Sequence, residues 1–287
     1  MAPRKVAGDE MQGGIRLSVI IPVAEEDMAW GELLPDLQRL RPEDEIIFSF
    51  AESAHYAEQK CPPGSASHTP LLTTEEHEVL ALGYAAETDR THRVTKGVNE
   101  FLLAHGLMLP CPVRTLVGPV GRARQLNAAA AIARGSFFWF VHSDSRISGQ
   151  ALLRLLNRLR EHPRAVHFFD LEFLDDGPWA MKLNTLGAWW RSRLLRLPFG
   201  DQGFCLHREV FAQLGGFSEQ VTYGEDHHFI WRVHQMGVPL CAVGEKIKTS
   251  ARRYRARGWL ATTLLYQRLT WQQALPEFLR WLKVRLM

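Results

Sequence analysis

Five large apolar residues in a row, Phe137-Phe138-Trp139-Phe140-Val141, run straight into the polar segment His142-Ser143-Asp144-Ser145. A short apolar run closed by a polar turn fits a strand buried on both faces. Such a strand needs pairing partners on both edges and a layer on each face, so it belongs in the middle of an α/β sheet. The polar residues that close it then fall where ligands collect in open α/β sheets, beyond the strand's carboxyl end.

The rest of the chain supplies the neighbours. Leu17–Val23, Glu45–Phe50, Val113–Val117, Ala165–Phe173 and Leu240–Val243 read as further strands, rich in β-branched and aromatic residues. Helical spacing covers Trp30–Leu40, Arg93–Leu103, Arg122–Ala133, Ala151–Arg160, Trp179–Leu197, Val210–Leu214 and Glu225–Met236. The strand, helix, strand order predicts a mostly parallel sheet. Gly135 sits where a helix stop is expected. Between Ala51 and Glu100 the pattern loosens, with eight acids against four bases and a helix predicted to start at Thr74.

Composition narrows the class. Hydrophobic residues make up 46% and charged residues 23%, ordinary for a soluble globular protein. Lys+Arg is 34 and Asp+Glu is 31, without the basic excess of a nucleic-acid coat, so no nucleic-acid partner is expected. The four cysteines form no CxxC pair, which fits reduced thiols in the cytoplasm. Residues 1–14 are polar, lack the apolar core of a signal peptide and read as a disordered tail. No run of about 18 apolar residues predicts a membrane span.

Five polar clusters are candidates for chemistry. Asp144 can hold a hard cation against a diphosphate, with His142 as a second ligand; the alternative is a turn cap. Gly121-Arg122-Ala123-Arg124-Gln125-Leu126-Asn127 opens a helix with two arginines, an arrangement that suits an anion but also fits a solvated helix start. Glu225-Asp226 could include a general base; acids are also simply favoured in a first turn. His227 and His228 lie on different faces, so a paired chelate is not expected. Gly200-Asp201-Gln202-Gly203 is a polar tight turn. Arg252, Arg253, Arg255 and Arg257 could close over a diphosphate or form a solvated basic face.

In this order the clusters resemble the family 2 glycosyltransferases, and within them the bacterial arsenosugar-biosynthesis-type branch. The resemblance covers Leu17 to Phe50 and, more strongly, Val113 to about Tyr266. It implies a GT-A fold: a Rossmann-like, mixed, mostly parallel sheet flanked by helices. The glycosyltransferase domain would span residues 15–258, with a helical insertion at about 54–112 and amphipathic helices over 259–287. It also implies metal-dependent, inverting hexosyl transfer from a nucleotide-diphospho-sugar to an acceptor hydroxyl. Asp144 and His142 would hold Mn²⁺ or Mg²⁺, and Asp226 with Glu225 would supply the acceptor base. Arg122, Arg124, Asn127, Gln202, Arg252 and Arg253 would line the substrates. The family often has an Asp at the end of the second strand to read the base. Here Phe50 takes that position, leaving Glu52 as its substitute.

Two other readings stay open. A retired transferase fold acting as a scaffold would fit Phe50 and His142. A nucleotidyltransferase would need a Gly-rich loop that is missing after Val23. From Lys246 onward there are ten bases and one acid. Their apolar neighbours, including Leu264, Trp271 and Phe278, suit contact with an anionic membrane, such as its inner face, and equally a helix packed on the domain's own core.

Overall fold

The computed structural model describes residues 15–24, 27–51, 91–118, 120–221 and 223–286. Among these residues eight strands form one sheet: β1 (Leu17–Val23), β2 (Glu45–Ala51), β3 (Val113–Gly118), β4 (Phe137–Phe140), β5 (Arg146–Ile147), β6 (Val166–Phe173), β7 (Cys205–His207) and β8 (Leu240–Thr249). Their order is β3-β2-β1-β4-β7-β6-β8-β5. β3, β2, β1 and β4 pair in parallel, as do β6 and β8. β7 runs antiparallel to both β4 and β6, so these two point the same way. Six strands therefore share a direction, and their carboxyl ends open on one edge.

The apolar run does become an interior strand, and its alternation organises two core layers. Phe137 and Trp139 pack on one face with Leu33, Leu34 and Leu37 of α1 (Trp30–Leu37) and with the leucines of α4 (Gly149–Glu161). Phe138 and Phe140 pack on the other, against α3 (Arg122–Ile132) and α7 (Glu225–Gln235). The helix over residues 91–104, here α2, ends the predicted insertion and joins the core: Val98 is buried and Phe101 packs on Trp30 at 4.8 Å. Residues 1–14, Thr74 and Glu52 lie outside the described residues.

Several expectations are corrected. β8 continues to Thr249 because Lys246 and Lys248 alternate with buried Ile247 and Thr249, and both lysines reach Glu172 on β6 at 3.0 and 3.7 Å. The C-terminal segment is one helix, α9 (Trp259–Leu286), packed on α7. The helices between are α5 (Met181–Arg193), α6 (Arg208–Gln213) and α8 (Arg252–Arg257).

Gly135 is not a left-handed helix stop. Its amide donates to Ser18 Oγ at 2.8 Å, and a Cβ there would stand 2.6 Å from that oxygen and 2.7 Å from the Ser18 backbone nitrogen. Ser18 in turn donates to the buried Glu45 carboxylate at 2.6 Å. A left-handed stop would accept Asn almost as readily as Gly, whereas a close approach accepts neither Ala nor Asn. Gly135→Ala should cost roughly 2–3 kcal/mol in urea unfolding, and Gly135→Asn should be no milder.

Candidate active site

The shared carboxyl edge collects the polar clusters. Gly121, with φ of 122°, turns the chain from β3 into α3 and aims Arg122 at the end of β4. One guanidinium N–H of Arg122 points at His142 Nε2, and its Nε stands 3.2 Å from Glu225 Oε1. Those last two atoms attract but are not aligned for a hydrogen bond, and each is buried without one. Gly200 fits beside them because it has no side chain: a Cβ would lie 2.6 Å from Arg122 Nη2 and 3.0 Å from Asp226 Oδ2. Its amide donates to Asp226 Oδ2 at 2.6 Å, while Oδ1 accepts from the His227 amide at 2.9 Å. Asp226 is thus oriented by two backbone N–H groups, with lone pairs to spare.

His142 departs from the expected ligand role. Its Nε2 accepts from a cationic side chain, and burial together with Arg122 and Arg253 pushes its pKa well below the ordinary range. A cation at Nε2 would have to displace the Arg122 guanidinium, so the ring fits as a neutral acceptor that orients Arg122.

Asp144 is different. Burial pushes its pKa up, against the pull of Arg252, Thr249 and Arg253 and with Asp27 adding to the rise. Among the described residues its hydrogen-bond donor is Thr249 Oγ1, at 3.3 Å. Asp27, beyond β1, accepts from Ser143 Oγ at 2.5 Å, and Arg252 lies 3.2 Å away. Burial alone would raise Asp27, but hydrogen bonds from Ser143, Ala29 and Arg252 outweigh it and lower its pKa. Among the described residues no three His, Cys, Asp or Glu side chains converge as a ligand set. A cation at Asp144 would therefore draw most of its oxygens from a diphosphate and water, as Mg²⁺ commonly does. The desolvated, singly bonded carboxylate fits that part.

The turn before β7 supplies a group that sequence reasoning passed over. Gln202 is fully buried, donating to Phe169 O at 2.8 Å and accepting from the Phe199 amide at 3.1 Å. Its amide is used up in holding the turn. Asp201 beside it has a buried oxygen without a hydrogen bond. Burial pushes its pKa to about 6, with Arg191 and Arg122 opposing the rise and Asp226 and Asp144 adding to it. Arg191, on α5, lies over the Phe199 ring at 3.3 Å, and burial lowers its pKa to about 10.

Two candidates from α3 point elsewhere. Asn127 clamps the loop after α6, donating to Phe217 O and accepting from its amide, both at 2.9 Å. Arg124 is half exposed and lies 3.9 Å from Glu219. Helical spacing carries both past the turn that aims Arg122 at the edge. Phe50 packs with the core beneath β2.

Comparison with known proteins is consistent with this layout. Residues 86–218 match the family model described as Glycosyl transferase family 2. Mannosyltransferase PcManGT from Pyrobaculum calidifontis, solved in complex with GDP-Man and Mn²⁺, is similar in structure. Its TM-score is 0.52 at 17% identity, covering 86% of this chain and 60% of that one. TarS 1-349 of S. aureus gives 0.51 at 17% identity, covering 82% and 60%. Its complex with UDP-GlcNAc gives 0.50 at 16% identity, covering 82% and 58%. The fold is GT-A. The chain spans less than two thirds of these structures' own length, and at such identities the likeness is one of fold. No curated protein matches the chain in sequence.

Asp201 makes the electrostatics testable. Its folded pKa lies above the unfolded value, so its charge opposes folding above about pH 6, and the penalty fades as pH falls toward 4. Asp201→Asn should stabilise the protein by roughly 1–3 kcal/mol at pH 7.5. The gain should vanish near pH 4 when urea unfolding is followed at both values.

Proposed function

We propose that the protein transfers a sugar from a nucleotide-diphospho-sugar to an acceptor hydroxyl. The observation that carries this reading is the placing of Asp144 and Asp226 on one strand edge, with cationic Arg122 beside Asp226 and Arg252 beside Asp144. The neighbours solved with GDP-Man and UDP-GlcNAc support the substrate class, and the one solved with Mn²⁺ supports a divalent cation.

In this reading Asp144 would hold Mn²⁺ or Mg²⁺, and the cation would supply charge to offset that of the diphosphate leaving group. Arg122, Arg252 and Arg253 add fixed positive charge where the leaving group develops its own. Asp226 takes the acceptor proton on an oxygen already oriented by a backbone N–H. Glu225 holds Arg122 in place, and neutral His142 does so from the other side. Inversion at the anomeric carbon, hexosyl specificity and the arsenosugar-biosynthesis-type branch rest on the family resemblance alone. The buried free thiols Cys111 and Cys205 support a cytoplasmic setting.

A scaffold on the same fold is the second reading, favoured by Phe50 where a base-reading acid is expected. Release of nucleoside diphosphate from a panel of nucleotide sugars with Mn²⁺ separates the two. Asp226→Asn should cut turnover by about 10²–10⁴ while leaving donor affinity within a few-fold. Donor binding without turnover across the panel would favour the scaffold.

A further inference from the structure

Among the described residues 22 large apolar side chains are exposed, and 15 of them lie on two elements, α5 with its flanks and α9. On the first, Trp179, Leu183, Leu186, Trp190 and Leu194 recur every third or fourth residue and so share one face. On α9 the same spacing joins the exposed Leu260, Leu264, Trp271, Leu275 and Leu282. The helices are stapled together: Asn184 accepts from Trp259 Nε1 at 2.8 Å and donates to Thr263 Oγ1 at 3.2 Å. Leu183 and Leu264 each sit one residue from that staple. The folded core already has its own apolar layers, so these residues are surplus to it. Surface apolar side chains scattered singly need no explanation, but a concentration on adjoining helices does.

The charge around them points to one occupant. Lys182, Arg196, Arg255, Arg257, Arg268 and Lys283 are all exposed on or beside these helices. α5 carries no acid, and the one acid of α9, Glu277, is turned inward to Gln235 at 3.0 Å and Arg280 at 2.6 Å. A second copy of the chain would set base against base. No helix among the described residues is long and apolar enough to cross a membrane, but a basic helix with Trp, Phe and Leu on its outer face can lie in the interface.

We infer that α5 and α9 together dock the protein on an anionic lipid surface, with their tryptophans and leucines in the headgroup layer and their bases on the lipid charge. Sedimentation of the full chain with vesicles tests this. It should pellet with phosphatidylcholine vesicles containing phosphatidylglycerol and stay largely in solution with phosphatidylcholine alone, and added salt should weaken the binding. The pair Trp190→Glu and Leu264→Glu should lower partitioning at least about tenfold, with unchanged elution on size exclusion. Leu153→Glu, at an exposed position of α4 and not on α5 or α9, should bind as before. Failure of the native chain to pellet, or pelleting indifferent to the pair, would overturn the inference. So would a native dimer that the pair converts to monomer, since the face would then be a contact between copies.

Discussion

The structure depends on β4 being dry on both faces. Phe137, Phe138, Trp139 and Phe140 are each 5% exposed or less, so no charge or hydroxyl can be tolerated along the strand. The ionisable side chains His142 and Asp144 come only past Val141. Because six strands run in one direction, the same edge receives the ends of β1, β2, β3, β6 and β8. A single packing constraint thus brings Asp27, Asp144 and Arg252 within reach of one another, though 225 residues separate the first from the last.

What holds the edge in order is a set of close contacts in which side chains are either absent or spent. Gly200 leaves room for Arg122 and Asp226. Gln202 gives its amide to the turn that carries Asp201. Burial and the neighbouring Arg122 and Arg253 keep His142 neutral. Asp201 carries the opposite bargain: a buried carboxylate costs stability near neutral pH, and such costs cluster at functional sites.

Much of this was legible in the sequence. β1 has the bounds its apolar run predicts, and the helices opening at Arg122 and Glu225 start where expected. The rest was hidden for physical reasons. β5 and β7 have two and three residues, too few to show a period. β8 was cut short because its lysines break an apolar run, although their alternation is that of a half-buried strand. Gly135 sits at a helix end, so its close approach to Ser18, a contact across 117 residues, left no local trace. Asp27 follows a recognised strand, and the rule placing ligands at carboxyl ends would have found it. Asn127 and Gln202 carry the expected chemistry in the expected motif, but their hydrogen bonds are made to their own fold.

The central claim is that the carboxyl edge receives a metal-bound diphosphate through Asp144. Calorimetric titration with nucleoside diphosphate, with and without Mn²⁺, measures it directly. The account predicts tighter binding with Mn²⁺, and loss of that gain in Asp144→Asn with the weaker, metal-free binding retained. Equal affinity with and without Mn²⁺, or a gain that survives Asp144→Asn, would contradict it.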